Sequence, residues 1–156
     1  MKRVPLLVLF FLLLAAGTSG LAQKRITDIS GIGPAYGQKL AEAGIKTQDQ
    51  LLKAASARRD RETLAEKTGI SGTLLLKWVN RADLARIKGL GREYADLLEA
   101  AGVDSPKELA RRNPQNLLDQ LKQLNDQKRL VRKLPTSAQI ERWLTRAKEL
   151  TSAVEE

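Results

Sequence analysis

The sequence predicts an all-α protein made of two tandem repeats, and three observations predict it. Gly31, Gly33, Tyr36, Leu40, Ala43, Gly44 and Leu51 recur 58 residues later as Gly89, Gly91, Tyr94, Leu98, Ala101, Gly102 and Leu109. A fixed offset of this size marks a supersecondary unit that has been duplicated and stacked on its copy. Signals for helix starts and stops punctuate the chain at short intervals, and no run of alternating apolar and polar residues competes as a strand. Each repeat is read as about five short helices.

The elements follow in chain order. Lys2 and Arg3 precede an apolar run from Leu6 to Ala16 and then the small, polar "GTSGLAQ", which is the order of charge, apolar stretch and small residues in a secretory signal peptide. A spanning helix needs roughly 20 apolar residues, so no stable membrane span is expected and an uncleaved anchor is the alternative. The signal peptide is assigned to residues 1–22, with a cut after Ala22 or, alternatively, after Gly20. The protein is then exported to the periplasm or beyond. Repeat 1 is placed at 23–84, repeat 2 at 85–151 and a disordered tail at 152–156.

In repeat 1 a short helix leads into the turn "SGIG". The helix after it stops at Gly44, Thr47 and Gln50 make a capping box, Gly69 ends another helix after "EKT", and Ser71 starts the next. In repeat 2 Gly102 stops a helix after "EAA". Ser105-Pro106-Lys107-Glu108 then puts proline at the first helical position, and Asn113-Pro114 opens a helix whose Leu117, Leu118, Leu121 and Leu124 share a buried face. "KWVNRADL" answers "RWLTRAKEL" with Trp78 and Trp143 65 apart, so repeat 2 holds about seven extra residues, placed in "NDQKRLVRKLP". Both tryptophans are read as core plugs with solvated arginines, Arg81 and Arg146, beside them. Tyr36 and Tyr94 are expected to pack on the preceding helix. The clusters "ARRDR" and "QKRLVRK" read as solvated helix faces or as a second phosphate-tracking surface.

The Gly-apolar-Gly turns carry the functional signal. Glycine allows backbone conformations closed to other residues and a close approach to a ligand. With a helix starting directly after the turn, unpaired amides and the positive end of the helix dipole converge where a phosphate oxygen could sit. Ile32 and Leu90 would plug the core beneath each turn, and Gly37 and Ala95 would let the hairpin helices pack closely. Nothing in such a turn reads base edges, so any nucleic-acid contact would be to backbone.

"ISGIGPAYGQKLAEAGI" resembles the helix-hairpin-helix motif of DNA-repair polymerases, ligases, Holliday-junction proteins and DNA-uptake receptors. The motif matches at Gly31, Ile32, Gly33 and Gly37, and again at Gly89, Leu90, Gly91 and Ala95. Nearly the whole chain after the leader also resembles a bacterial family of paired helix-hairpin-helix units known only as a domain of unknown function. The resemblance implies that amides from Gly31 through Ile32 and Gly33 to Ala35 hold a DNA phosphate, with Lys39 beside them and Lys24 and Arg25 flanking. In the second hairpin Lys39 is replaced by Leu97 and Gln38 by Asp96. Glu93 and Glu99 lie nearby, which leaves Lys88, Gly89, Gly91 and Arg92 as its contact set, with a mainly structural or a protein-facing role as the alternatives.

Composition narrows the function classes. The 27 basic residues outnumber 18 acidic ones, and loss of Lys2 and Arg3 with the leader would leave about +7, an excess that favours anionic partners. Aromatic residues make up 4%, too few for single-strand stacking platforms. The chain has no cysteine and no histidine, and no tight acidic set with metal-ligand spacing, so it is read as a non-enzyme without metal, cofactor or small-molecule substrate. Two classes remain: a sequence-independent module for the backbone of double-stranded DNA outside the cytoplasm, or an envelope scaffold that binds a protein or acidic polymer.

Overall fold

The computed structural model describes residues 23–150 and 153–155. The expected signal peptide lies outside the described residues. Among the described residues the fold is all-α, with eight α-helices, one turn of 3-10 helix, and an isolated bridge between Arg25 and Thr47.

The 3-10 turn, Ile26–Asp28, forms because the chain is held on both sides. Ile26 N donates to Lys46 O at 2.9 Å, Gln48 N donates to Lys24 O at 3.0 Å, and the Asp28 carboxylate accepts from Arg25 N at 3.2 Å. Helix α1 (Pro34–Glu42) opens on proline, whose missing N–H has no helical partner to lose. Helix α2 (Gln48–Ala55) carries the expected capping box, Thr47 and Gln50 each accepting from the other's amide. Helix α3 (Arg58–Thr68) ends on Gly69, and α4 (Gly72–Leu84) starts at Ser71, whose hydroxyl accepts from Leu74 N at 3.2 Å. Then follow α5 (Arg92–Ala100), α6 (Pro106–Ala110), α7 (Pro114–Lys128) and α8 (Ser137–Glu149). Ser105 and Asn113 cap α6 and α7 as expected, and Thr136 with Gln139 adds a capping box at α8.

Five helical elements therefore occur in the first half, but only four α-helices in the second. The positions that would mirror Ile26–Asp28 are Leu84 to Arg86, and there the chain is still finishing α4. The extra residues of the second half are split between a longer α7, 15 residues against 11 in α3, and the loop that follows it. The buried Asn125 closes that loop, donating from Nδ2 to Val131 O at 3.0 Å and accepting from Val131 N at 2.9 Å.

Two apolar cores result. Ile26, Ile29, Leu40, Leu51, Leu75 and Trp78 build the first, where α2 packs on α3 and α4. Ile87, Leu98, Leu109, Leu117, Ile140 and Trp143 build the second, where α6 and α7 pack on α8. Each tryptophan meets a tyrosine at a ring-centroid distance of 5.1 Å, Tyr36 on Trp78 and Tyr94 on Trp143, so the tyrosines lie against the tryptophan helices. Helix α4 belongs to both halves, because Trp78, Val79 and Ala82 sit in the first core while Leu84 is buried in the second.

Three expected surface features are not at the surface. The Arg81 side chain is 12% exposed, against 63% for Arg146. Arg61, inside "ARRDR", is buried and donates to Ala55 O at 3.1 Å, to Ser56 O at 2.6 Å and to Glu155 O. The tail is held at its described positions: Val154 packs on the first core and Glu155 N donates to Ser56 O at 2.9 Å. Burial of the arginine is tolerated because the carbonyls at the end of α2 and on the tail receive its N–H groups.

Candidate functional site

The two glycine turns hold most of the residues singled out in the sequence. Gly31 has φ +91°, and a Cβ there would stand a tight 3.2 Å from Trp78 Nε1, so both conformation and space disfavour a side chain. Gly89 repeats the left-handed conformation at φ +83°, but a Cβ there would stand 3.8 Å from Trp143 Nε1, an ordinary contact, so conformation alone calls for glycine. Gly33 and Gly91 differ. Their φ is −81° with ψ near 180°, extended backbone open to any residue, and a Cβ on either would meet nothing within 4 Å. The first glycine of each pair makes the turn, while the second leaves the start of the next helix bare. Gly31→Ala is therefore expected to cost about 1–2 kcal/mol in urea unfolding. Gly33→Ser should be neutral or stabilising by up to about 1 kcal/mol, because serine is a good N-cap. Equal losses would refute the distinction.

The amides of the first turn are fewer than the sequence implied. Ile32 is buried and its N–H is spent on Ile29 O at 3.1 Å, so it cannot contact a phosphate, and Pro34 has no N–H. The amides of exposed Gly31 and Gly33 have no hydrogen-bond acceptor among the described residues, and further open donors lie in the first turn of α1, at exposed Ala35 and half-buried Tyr36, where no intrahelical acceptor exists. Gly33 offers them no side-chain cap, and no acidic residue occupies that turn. Lys39 is exposed four residues after Ala35, on the same helix face, and has no ion-pair partner among the described residues. Arg25 is 78% exposed and pairs with Asp28 at 3.2 Å. Lys24 turns away from α1, donating from Nζ to Ala85 O at the end of α4.

The second turn is built differently. Lys88, Gly89 and Gly91 are exposed, but Arg92 Nε donates to Ser30 Oγ at 2.8 Å and Glu93 occupies the first turn of α5. Leu97, at the position of Lys39, is fully buried in the second core.

Asp96 and Glu99 of α5 face the first half. Arg81 pairs with Asp96 at 2.6 Å and with Glu99, and Lys77 pairs with Glu99 at 2.8 Å. Ser30 Oγ donates to Asp96 at 2.7 Å while Arg81 donates to Ser30 O at 3.3 Å, so the residue just before Gly31 is tied to both α4 and α5. Burial pushes the Glu99 carboxyl upward, but hydrogen bonds from Lys77 and Arg81, together with their charges, hold it below its ordinary value. The sequence signal for this network was available in part, because Asp96 and Glu99 stand where the first hairpin has the uncharged Gln38 and Ala41.

A family model matches residues 30–150, from Ser30 to the end of α8. The chain belongs to the DUF4332 family, a domain of unknown function. No curated protein and no solved structure matches it. Both turns, both tryptophans and the Arg81 network fall within the family segment, while Lys24 and Arg25 precede it. No helix among the described residues is long and apolar enough to cross a membrane.

Proposed function

We propose that the protein is an exported, non-catalytic DNA-binding module that holds duplex DNA by its backbone phosphates, without regard to sequence, at the first glycine turn. One observation carries this reading: the start of α1 is exposed, capped by bare Gly33, free of acid in its first turn and followed on the same face by unpaired Lys39. Unpaired amides at the positive end of a helix dipole suit a phosphate oxygen, and a lysine one turn on adds full charge. The matching dihedrals at Gly33 and Gly91, and the tyrosine-on-tryptophan contact in each half, support reading the halves as tandem helix-hairpin-helix repeats. The second hairpin serves as support for the first. Glu93 already occupies its helix start, Leu97 is core, and Asp96 and Glu99 grip Arg81.

A salt titration against random duplex DNA tests the proposal, since each neutralised phosphate contributes about −0.9 to the slope of log K against log salt. Lys39→Ala should lower the slope's magnitude by about one, with less than about 0.5 kcal/mol lost in stability. Arg25→Ala should do less, because Asp28 already shares its charge. Lys88→Ala and Arg92→Ala should leave the slope nearly unchanged. If they cost as much as Lys39→Ala, the division between hairpins is wrong. Absence of salt-dependent binding would leave the envelope-scaffold reading, with a protein or acidic polymer as partner.

A further inference from the structure

A cleft of about 240 Å³ lies where the two halves meet, apart from the start of α1. Its wall includes Lys24 and Gln48 from the first half, Arg81 from α4, and Gly91 with Arg92 at the start of α5. Lys24 and Arg92 thus bring positive charge to one small space, while Arg81, whose charge is matched by Asp96 and Glu99, brings an N–H. Lys24 has spent one N–H on Ala85 O and Arg92 one on Ser30 Oγ, and each keeps others. Arg81 Nε is buried without a hydrogen-bond partner among the described residues. The acidic lining residue, Asp28, has an oxygen engaged by Arg25 N and the other by the Arg25 guanidinium.

Gln48 adds the discriminating feature. It is 6% exposed, and its Nε2 donates to Arg25 O at 3.2 Å, which fixes the amide's orientation. Its Oε1 is left without a partner among the described residues. A buried amide oxygen is an acceptor only, and burying it unpaired is unfavourable. A fitting ligand must therefore bring anionic oxygens for Lys24, Arg92 and the Arg81 Nε–H, and one O–H or N–H for Gln48.

We infer that this cleft binds a phosphoryl anion that still carries a proton, and orthophosphate in particular. Near neutral pH orthophosphate retains a P–O–H that can donate to Gln48 Oε1 while its other oxygens accept from Lys24, Arg81 and Arg92. Sulfate has the same shape and no proton. A phosphodiester has none either, so the cleft is distinct from the DNA site and does not depend on it. By touching Lys24 and Gln48 on one side and Arg92 on the other, the anion ties the two halves together.

The test is calorimetric titration of the full chain near pH 7 at fixed ionic strength with orthophosphate, sulfate and dimethyl phosphate. Orthophosphate should bind about tenfold more tightly than either of the others, because the two lack the hydrogen that the site needs. Gln48→Met, similar in volume but without the acceptor, should erase that preference. Arg92→Gln should weaken all anions alike. Amide shifts at Gly91 and Arg92, with none at Ala35, should mark the orthophosphate site in the wild-type protein. A phosphomonoester, which loses its last proton near pH 6, should weaken above that pH while orthophosphate does not, so the pH course separates a free anion from an esterified one. Equal binding of orthophosphate and sulfate by the wild-type protein, or a preference that survives Gln48→Met, would overturn the inference.

Discussion

Trp78→Ala is expected to remove about 3–5 kcal/mol of stability and, where the variant remains folded, to abolish duplex DNA binding. The indole is 1% exposed, fills the first core beside Leu75 and Leu51, and meets the ring of Tyr36 at 5.1 Å. Its Nε1 also lies directly beneath Gly31, close enough that a Cβ there would reach it at 3.2 Å. Truncation would thus open a cavity and withdraw the floor of the turn that sets the direction of α1. A small domain has only about 5–15 kcal/mol to lose, so the urea midpoint should fall well below that of the wild type. Trp143→Ala should cost a similar amount, because Trp143 is 2% exposed and packs on Tyr94 in the second core. Its effect on DNA affinity in the folded state should be within a few-fold, since the first turn rests on the other core. Wild-type DNA affinity in folded Trp78→Ala would show that the indole does not hold the binding turn.

The sequence shows the parts of this architecture that are local. Thr47 with Gln50, Ser105 with Glu108 and Asn113 with Asn116 are caps closed within three residues, and each forms where its spacing implies. The glycine turns are legible for the same reason, but which glycine is indispensable is not. That depends on the positive φ of Gly31 and Gly89 and, at Gly31, on how near Trp78 comes, a tertiary contact across more than forty residues. The arginines fail for a related cause. Arg81 and Arg146 occupy matching places three residues after a tryptophan, yet Arg81 meets Asp96 and Glu99 of α5 while Arg146 meets Glu149 on its own helix. Arg61 is buried against carbonyls of Ala55, Ser56 and Glu155, and backbone acceptors leave no trace in side-chain identity. Lys24 and Lys39 look alike as flanking lysines, and only the fold assigns one to α4 and leaves the other open.

Arg81→Ala is expected to cost about 2–4 kcal/mol, somewhat below the range for breaking a fully buried ion pair, because the side chains of Asp96 and Glu99 are 31% and 27% exposed. The loss comes mostly from what remains: two carboxylates between α4 and α5 with Lys77 as their nearest compensating charge, and a Ser30 carbonyl that has lost its donor. Adding Asp96→Asn and Glu99→Gln to Arg81→Ala should therefore recover much of the loss, whereas a merely steric role for Arg81 would leave the triple variant as weak as the single one. Acid provides an independent check. The folded-state pKa of Glu99 is lowered, so its contribution is present above the unfolded value near 4.5 and is lost as pH falls through the folded value. Glu99→Gln should flatten the stability curve across that acidic interval, and Arg81→Ala should reduce the same acid dependence by removing a cause of the shift. DNA affinity supplies the last readout, because Ser30 is the residue through which Arg81 and Asp96 grip the first turn. If Arg81→Ala leaves the salt slope untouched while lowering affinity, the network acts by positioning α1 and not by contacting phosphate. A reduced slope would instead place the guanidinium on the DNA.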